Sequence, residues 1–433
     1  MNVYTKQQWI AKQAKEHPER VFTSLHHLID LDWMFEAWSL TRKDGAVGID
    51  GCTADDYEKD LEANLESLLS QIKSCSYSAP PVRRHYIPKA DGSQRPLGIP
   101  TLEDKVAQRA IVMLLEPIYE QDFMDCSFGF RPGRSAHDAI RSLRDGIMDT
   151  GQRWVIDADI SKYFDSIDHG HLRSFLDLRI KDGVRRRMID KWLKAGVLEQ
   201  GTLSRPVTGT PQGGVISPLL ANIFLHHVLD RWVVEVAKPR LKRRCQLVRY
   251  ADDFVMSFED HLDGLRMLAV LGKRFERYGL RLHPDKTRYV DFRFRRPQGR
   301  HPATSATSFN FLGFTHVWGK SRKGKPVVRQ VTAKDRFARA LRAVRDWCTT
   351  HLHLSLEAQQ RHLSRMMQGH YAYYGITGNG RRLKWYRHQA ERIWKSGLSR
   401  RSRSGKLNWS RMRQVLDRFP LPPTRIMHQW SQP

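Results

Sequence analysis

The sequence predicts an α/β fold in which a split β–α–β–β sheet is followed by an all-helical region. Three observations lead to this prediction. Short apolar segments with a strand period alternate with amphipathic helical segments between residues 82 and 315. Two of the strand segments flank a two-residue turn, as in a hairpin. Beyond about residue 325 the apolar pattern is helical only. This succession is typical of a sheet with helices on one face.

The individual elements follow in chain order from the same patterns. Apolar residues recur at three- and four-residue steps in the helical segments 1–40, 57–72, 103–124, 219–228 and 262–278. Strand patterns occupy 82–87, 154–160, 246–250, 254–258 and 309–315. Asp91-Gly92 marks a hairpin turn. Residues 296–307 have the Pro, Gly and Ser content of a loop.

The charge distribution points to a polyanionic partner. The net charge is +27, and such an asymmetry favours nucleic acid. The excess is concentrated in residues 321–433, which contain 25 Lys and Arg residues against 5 Asp and Glu residues. A solubilising tail would be poor in aromatic residues, yet here they alternate with the charges: Trp347, Tyr371, Tyr373, Tyr374, Trp385, Tyr386, Trp394 and Trp409. The composition therefore indicates a folded nucleic-acid-binding module.

The remaining composition excludes several classes of protein. No run of about twenty apolar residues occurs, so no membrane partner is expected. The polar first twenty residues lack the apolar block of a secretory signal. Five scattered cysteines without a C-x-x-C pair are typical of reduced thiols. We therefore expect a cytoplasmic protein.

Three aspartates stand at the ends of predicted strands. Asp159 ends one strand, and Asp252-Asp253 form the turn between two others. Adjacent carboxylates repel each other, and two divalent ions would supply the missing positive charge. Such a site serves in-line phosphoryl transfer. Asp157 lies one pleat earlier on the same face as Asp159 and is expected to be a distant support. An Asp-Asp pair by itself is more often a surface turn.

The motifs around these acids are more specific. The turn reads Tyr250-Ala251-Asp252-Asp253, residues 159–165 read DISKYFD, and residues 209–220 read GTPQGGVISPLL. Further motifs stand at 87–100, 127–135, 279–287, 309–314 and 369–379. In this order they resemble the reverse transcriptases encoded by bacterial group II introns. The motif at 369–379 is similar to the signature of that family's maturase, or thumb, domain.

The resemblance implies a right-hand polymerase with fingers and a palm built on the split sheet, followed by an all-helical thumb. Residues 1–80 would form an N-terminal extension and the start of the fingers, and 81–320 the fingers and palm. Residues 325–389 would form the thumb or maturase domain, and 390–433 a basic region similar to a DNA-binding region. No His- and Cys-rich endonuclease motif follows, so we expect the endonuclease-lacking, group IIC-like type.

The resemblance also implies a metal site. Asp159, Asp252 and the backbone carbonyl of Ile160 would hold two Mg²⁺ ions, for which Mn²⁺ could substitute. Asp253 would be the third acid of the site and a ligand in part of the cycle. Phe164 lies five positions after Asp159, where the family carries an aromatic residue under the incoming sugar. Its ring would exclude a 2′-hydroxyl and favour deoxynucleotides.

Nucleotide and primer contacts are implied by the same motifs. Lys89 and Arg95 flank a hairpin turn and would close over the triphosphate. Gln212 stands on a tight turn beside two glycines, near the incoming nucleotide and the template base. Contacts with the primer or template are expected from Tyr250, Ala251 and Lys286.

The helical region is expected to hold nucleic acid. Its basic residues would contact phosphates and its aromatic residues would stack on unpaired bases. The residues predicted to bind RNA are Tyr371, Tyr374, Arg381, Arg382 and Lys384. The expected partners are a structured intron RNA, an RNA template with a DNA primer, target DNA and dNTPs. A bacterial, nucleoid- or ribonucleoprotein-associated location would follow, and the oligomeric state is open.

The predicted function is therefore RNA-directed DNA polymerisation by two-metal phosphoryl transfer, combined with binding of intron RNA to assist splicing and retromobility. One alternative is a polymerase-inactive, RNA-binding splicing maturase, against which the intact acids argue. Another is a reverse transcriptase without an intron, associated with host defence or CRISPR. The well-formed motif at 369–379 favours an intron partner over this alternative.

Overall fold

The computed structural model describes residues 2–88, 92, 94–199, 202–204, 208–209, 213–294, 308–321, 323–401 and 407–430. The chain divides into two compact units. The first unit comprises Met1–Ser135, Ala158–Phe254 and Leu262–Thr287, and the second comprises Ala136–Asp157, Val255–His261 and Arg288–Pro433.

The described residues form helices at both ends of the chain and a mixture of helices and strands between them. The helices are α1 Val3–Glu16, α2 Leu31–Ser39, α3 Ala54–Glu58, α4 Leu61–Lys73, α5 Leu102–Asp122, α6 Ala136–Thr150, α7 Tyr163–Ser166, α8 His169–Asp177, α9 Gly183–Leu193, α10 Ser217–Leu225, α11 His261–Glu276, α12 Lys334–Thr350, α13 Leu356–Tyr374, α14 Gly380–Arg400 and α15 Trp409–Arg418. The strands are β1 Val82–Pro88, β2 Gln94–Ile99, β3 Trp154–Asp159, β4 Val197–Glu199, β5 Thr202–Ser204, β6 Cys245–Tyr250, β7 Asp253–Phe258, β8 Arg288–Asp291, β9 Phe309–Phe311, β10 Phe314–Lys320 and β11 Pro326–Thr332.

The strands form three sheets. The central sheet has the order β6-β7-β3-β8, in which β3 and β8 are antiparallel. The second has the order β2-β1-β4-β5, and the third the order β11-β10-β9. In the central sheet the hairpin β6–β7 lies beside β3, although about ninety residues separate them in the chain. The predicted split α/β sheet is confirmed, since β3 and the hairpin share one sheet.

A buried carboxylate organises the core of the first unit. Asp104 on α5 is fully enclosed and accepts hydrogen bonds from the Tyr77 hydroxyl (2.6 Å) and Trp192 Nε1 (2.7 Å). It also accepts one from Gln108 Nε2 (2.9 Å). Burial raises the pKa of Asp104, and these three donors oppose the shift. The Gln108 carbonyl oxygen in turn accepts a hydrogen bond from the Ile216 amide (3.1 Å), which holds the start of α10 against α5.

The second unit has a helical core formed by α12, α13 and α14. Trp394 of α14 is fully buried in this core, and its indole nitrogen donates to Gln359 of α13 (2.9 Å). Asn379, in the loop between α13 and α14, donates to the Thr332 hydroxyl and to the Tyr374 carbonyl (both 2.8 Å). The end of the 369–379 motif therefore ties the helices to β11.

Three predictions of local structure are wrong. Residues 326–332 form strand β11, although only helices were expected beyond 325. Val328, Gln330 and Thr332 are buried in alternation with more exposed residues, which is a strand period. The strand predicted at 309–315 is a hairpin, β9–β10, because the backbone reverses at Leu312-Gly313 with φ of +48° and +78°. The helix predicted at 57–72 is divided into α3 and α4.

All five cysteines are free thiols, and Cys348 is buried. Within the part of the chain that the structure describes, no helix is both long and apolar enough to cross a lipid bilayer.

Candidate active site

Asp252 and Asp253 lie at the tip of the β6–β7 hairpin. Strand β6 ends at Tyr250 and β7 begins at Asp253, so two residues, Ala251 and Asp252, form the turn. Ala251 closes the turn with a φ of +58°, in the left-handed region. The backbone of Gly129 packs directly on the turn, since a Cβ on this glycine would lie 2.3 Å from the Ala251 nitrogen. Position 129 therefore accepts only glycine, and the close approach fixes the turn that carries both acids.

Arg249 is the buried anchor of this hairpin. Its guanidinium is fully enclosed and makes an ion pair with Asp230 through Nε (2.8 Å) and Nη2 (2.6 Å). Nη2 also donates to the Ser127 hydroxyl (2.7 Å). Nη1 donates to the Asn222 side chain (2.8 Å) and to the carbonyl of Ala251 (3.0 Å). All five N–H groups therefore have acceptors, and one of them holds the turn residue itself.

The residues that accept hydrogen bonds from Arg249 are themselves held in place by the fold. Asp230 ends a π-helical turn, His226–Asp230, that continues α10, and such turns often mark functional positions. The Asn222 side-chain nitrogen donates to the carbonyl of Gly129 (2.7 Å), the residue packed on the hairpin. Arg249 was not among the site residues predicted from the sequence. A charged residue in the otherwise apolar segment Leu247–Tyr250 of β6 was the available signal.

Asp159 lies at the end of β3 and carries a positively charged neighbour. Lys286 Nζ is 2.7 Å from Asp159 Oδ2. Burial raises the pKa of Asp252 above its usual value, and the negative charge of Asp159 raises it further. The charges of Arg95 and Lys286 oppose the shift. The two acids therefore lie close enough to repel each other, and Arg95 and Lys286 lie close enough to act on Asp252.

The backbone next to Asp159 orients a carbonyl group. Ile160 forms an isolated antiparallel bridge to the chain that leads into β8. The hydrogen bonds flanking it run from the His283 amide to the Asp159 carbonyl (2.8 Å) and from the Ser161 amide to the Arg281 carbonyl (2.9 Å). In this pattern the bridged residue's own carbonyl points to the opposite side. The Ile160 carbonyl therefore faces the β7 side of β3, where Asp253 begins its strand.

The donors at this place suit a hard divalent cation. Asp159, Asp252 and the Ile160 carbonyl offer oxygen atoms only, which Mg²⁺ and Mn²⁺ prefer. The electrostatic strain on Asp252 would be relieved by added positive charge. Among the described residues, no three His, Cys, Asp or Glu side chains are spaced to enclose a metal ion. The fit therefore rests on two carboxylates and a carbonyl, with Asp253 beside them at the start of β7.

Phe164 stands on a turn that a glycine contacts closely. The ring is half-buried and lies edge-on to Tyr163. Tyr163 is buried and donates its hydroxyl hydrogen to the Ala221 carbonyl (2.5 Å). Gly209 has a φ of +91°, and a Cβ there would lie 2.9 Å from the Phe164 carbonyl oxygen. Gly209 therefore packs on the backbone that presents Phe164.

The structure describes only some of the residues that were predicted to bind the nucleotide. Lys89 and Gln212 lie outside the described residues. Arg95 is exposed on β2, opposite Ile87 of β1. Gly213, directly after Gln212, has a φ of +114°, and a Cβ there would lie 2.5 Å from the carbonyl oxygen of residue 98 on β2. Gly213 and the strand that carries Arg95 are therefore in close contact in the first unit.

One predicted RNA contact is wrong. Tyr371 is 3% exposed, and its ring packs in the helical core of the second unit, so it cannot stack on a base. Tyr374 is half-buried against Phe314. Arg381 and Lys384 are exposed. The helical period alone did not show that α13 turns Tyr371 toward α14.

Comparison with known proteins identifies the chain's relatives. Residues 87–316, more than half of the chain, match the family described as "Reverse transcriptase (RNA-dependent DNA polymerase)". Protein YkfC of Escherichia coli (strain K12) is 36% identical over 288 residues, which cover 59% of this chain and 76% of that protein.

Two further relatives are named after introns. Group II intron-encoded protein LtrA of Lactococcus lactis subsp. cremoris is 39% identical over 229 residues, covering 52% of this chain and 38% of LtrA. Nuclear intron maturase 2, mitochondrial, of Arabidopsis thaliana is 30% identical over 171 residues, covering 30% of this chain and 23% of the maturase. The chain thus spans well under half of either relative. The chain belongs to the reverse transcriptase (RNA-dependent DNA polymerase) family and, within it, is related to the group II intron-encoded reverse transcriptases and maturases.

Proposed function

We propose that this chain is an RNA-directed DNA polymerase that works by two-metal phosphoryl transfer and that also binds a structured intron RNA. One observation carries the catalytic part. Asp159 at the end of β3 and Asp252 at the tip of the neighbouring β6–β7 hairpin come from distant parts of the chain, and the buried Arg249 holds that hairpin. A site that brings carboxylates together from distant segments in this way is suited to divalent cations and to triphosphate chemistry.

The residues of the site would divide the work. Asp159, Asp252 and the Ile160 carbonyl would hold the ions, with Asp253 as a ligand in part of the cycle. When bound, two Mg²⁺ or Mn²⁺ ions activate the primer 3′-hydroxyl and neutralise the triphosphate and the leaving pyrophosphate. Arg95 supplies positive charge for the triphosphate, in keeping with its reach to Asp252.

The remaining predicted residues would contact the triphosphate, the base and the primer end. Lys89 and Gln212 are proposed, from the motifs alone, to contact the triphosphate and the base. Tyr250 and Ala251 would support the primer end at the hairpin. Lys286 already lies on Asp159, and its charge would serve the acid or the primer phosphate.

The test is primer extension on an RNA template with dNTPs and Mg²⁺. Wild type is expected to make full-length cDNA, and Asp252→Asn/Asp253→Asn is expected to make none, since asparagine cannot replace the carboxylate charge that holds the ions. RNA binding by the same proteins is measured in parallel. Tight RNA binding by wild type without any extension would reject the polymerase and favour the polymerase-inactive maturase.

Phe164 provides a separate prediction about sugar selectivity. Phe164→Val should raise ribonucleotide incorporation relative to deoxynucleotide incorporation by about tenfold or more, since removing one steric contact is worth about 1–3 kcal/mol of discrimination. Single-nucleotide kinetics with dNTP and rNTP measure the ratio. The control must remove an aromatic ring that is as exposed as that of Phe164. Tyr163 is buried, whereas Phe175 on α8 is half-buried, so Phe175→Val is the control. An unchanged ratio in Phe164→Val would remove its role as a sugar gate.

The RNA-binding part of the proposal rests on charge and on the relatives. Residues 321–433 contain 25 basic and 5 acidic residues, and phosphate contacts from such a region give salt-dependent binding. Proteins named as an intron-encoded protein and an intron maturase are among the relatives. We propose that this region grips intron RNA during splicing and retromobility, with target DNA as a further partner.

A further inference from the structure

A basic cavity lies in the second unit between the β10–β11 hairpin and α14. Its volume is about 750 Å³, within the range of sites that hold a small organic group. None of its lining residues is acidic. Four cationic side chains line it, those of Arg329, Arg381, Arg382 and Lys384. Trp318, Trp385 and His388 supply rings to the same lining. The chemistry of the cavity therefore combines positive charge with flat π surfaces.

The rings continue from the cavity along α14 to α15. Trp385 is 49% exposed and Trp409 is 40% exposed, although tryptophan is usually well buried. Trp385 and His388 have ring centroids 5.7 Å apart, and His388 lies 6.4 Å from Trp409 with an interplanar angle of 10°. We call these three residues the ring ladder. They form an exposed aromatic row beside a cluster of cations.

Two rings of the ring ladder are nearly parallel. The centroids of His388 and Trp409 are 6.4 Å apart, with an angle of 10° between the ring planes. Lys395 Nζ lies 5.3 Å from the centre of the Trp409 ring, a contact that holds the indole in place. The ladder therefore offers exposed rings at Trp385 and Trp409 on which a base could stack.

The cations beside the ladder differ in their freedom. Arg329 extends along the cavity wall, because its side chain covers Gly319 and its guanidinium donates to the Lys320 carbonyl. Arg382 lies over the ring of Phe337, 5.2 Å from its centre. Arg381 and Lys384 are exposed on the same helix as Trp385. These two exposed cations line the same cavity as Trp385 and are available to contact the phosphates of a nucleotide stacked there.

We propose that the ring ladder and its cavity bind unpaired nucleotides of a structured RNA. The cationic lining and the strongly basic region around it fit a polyanion. A base offers its face to an aromatic side chain only where it is unpaired, as in loops and bulges, whereas an RNA duplex hides its bases. This inference rests on the proposed RNA-binding function and assigns its recognition element to Trp385, His388 and Trp409.

The test uses the full-length protein and three labelled probes at one salt concentration. The probes are an RNA hairpin with a ten-adenosine loop, a fully paired RNA duplex, and a DNA hairpin with the loop sequence. Trp385→Leu is expected to weaken binding of the RNA hairpin about 5- to 100-fold and duplex binding less than about twofold. Trp385→Phe should restore most of the affinity, because phenylalanine keeps a stacking face.

A matched control and a crosslink complete the test. Trp9 on α1 is also exposed, at 38%, and Trp9→Leu should leave the affinity for the RNA hairpin unchanged. RNA with 4-thiouridine in the loop is expected to crosslink to Trp385 or Trp409. Equal losses for hairpin and duplex, no loss in Trp385→Leu, or tighter binding of the DNA hairpin would overturn the proposal. Binding is measured without primer or dNTPs, so a failure of polymerase activity gives a separate result.

Discussion

Asp159→Asn is expected to lower RNA-templated DNA synthesis by about 1,000-fold or more. A metal ion contributes several kcal/mol to phosphoryl transfer, and about 1.4 kcal/mol corresponds to a tenfold change in rate. Asparagine has the shape of aspartate but lacks the charge that would hold the ion. The fold should tolerate the change, because Asp159 is only half-buried and its partner Lys286 is 59% exposed. Single-turnover extension with a bound primer measures the effect.

Asp157→Asn is the matched control on the same strand. Asp157 lies two residues earlier on β3, and its carboxylate forms an ion pair with Arg288 (2.6 Å). Because Arg288 is half-exposed, losing the pair should cost at most about 1 kcal/mol of stability. Extension by this variant should stay within a few-fold of wild type. Comparable losses in the two variants would mean that Asp159 acts through general electrostatics and is not a metal ligand.

Arg249→Met is expected to destabilise the protein by about 3–5 kcal/mol. The change leaves the carboxylate of Asp230 fully buried without its ion pair, and an uncompensated buried charge has a cost of this size. Asp230 and Arg249 are both 0% exposed, so solvent cannot replace the lost partner. Chemical denaturation, followed by a signal from the first unit, measures the loss.

A double variant separates stability from positioning. In Arg249→Met/Asp230→Leu both charges are removed together, and stability should return toward wild type because apolar replacements of a buried pair are often neutral. The polymerisation rate should remain low, since the Ala251 carbonyl has lost the donor that fixes the Asp252 turn. We expect a lower kcat with a smaller change in KM for dNTP. Full recovery of kcat would show that Arg249 serves stability alone.

The fold was predictable wherever a local pattern had one interpretation. The strands β3, β6 and β7 and the helix α5 were predicted to within two residues, because the strands are short apolar segments beside turns and α5 has apolar residues at helical spacing. Strand β11 was missed because Arg329 and Gln330 interrupt the apolar residues of Pro326–Thr332, which lie beside long helical patterns. Its pairing with β10 depends on tertiary context and not on the local pattern.

The residues of the candidate site were likewise predictable only where a local motif contained them. The acids Asp159 and Asp252 were predicted from their motifs, and the structure places them at the end of β3 and at the tip of the neighbouring β6–β7 hairpin. Arg249 was not predicted, because its acceptors lie at Ser127, on the helix of Asn222 and Asp230, and at Ala251. No spacing in a single sequence signals such a convergence.

The sequence by itself determined the family to which the chain belongs and the motifs on which the proposed chemistry rests. Motifs such as Tyr250–Asp253 are local, and their residue types follow from the ions and phosphates that they would meet. Only the tertiary structure decided which side chains are available. Tyr371 and Trp385 both lie in basic, aromatic-rich helices, yet one is 3% exposed and the other 49%. Helical periodicity gives the relative orientation of residues within one helix, but the neighbouring helix that covers a face is chosen by packing.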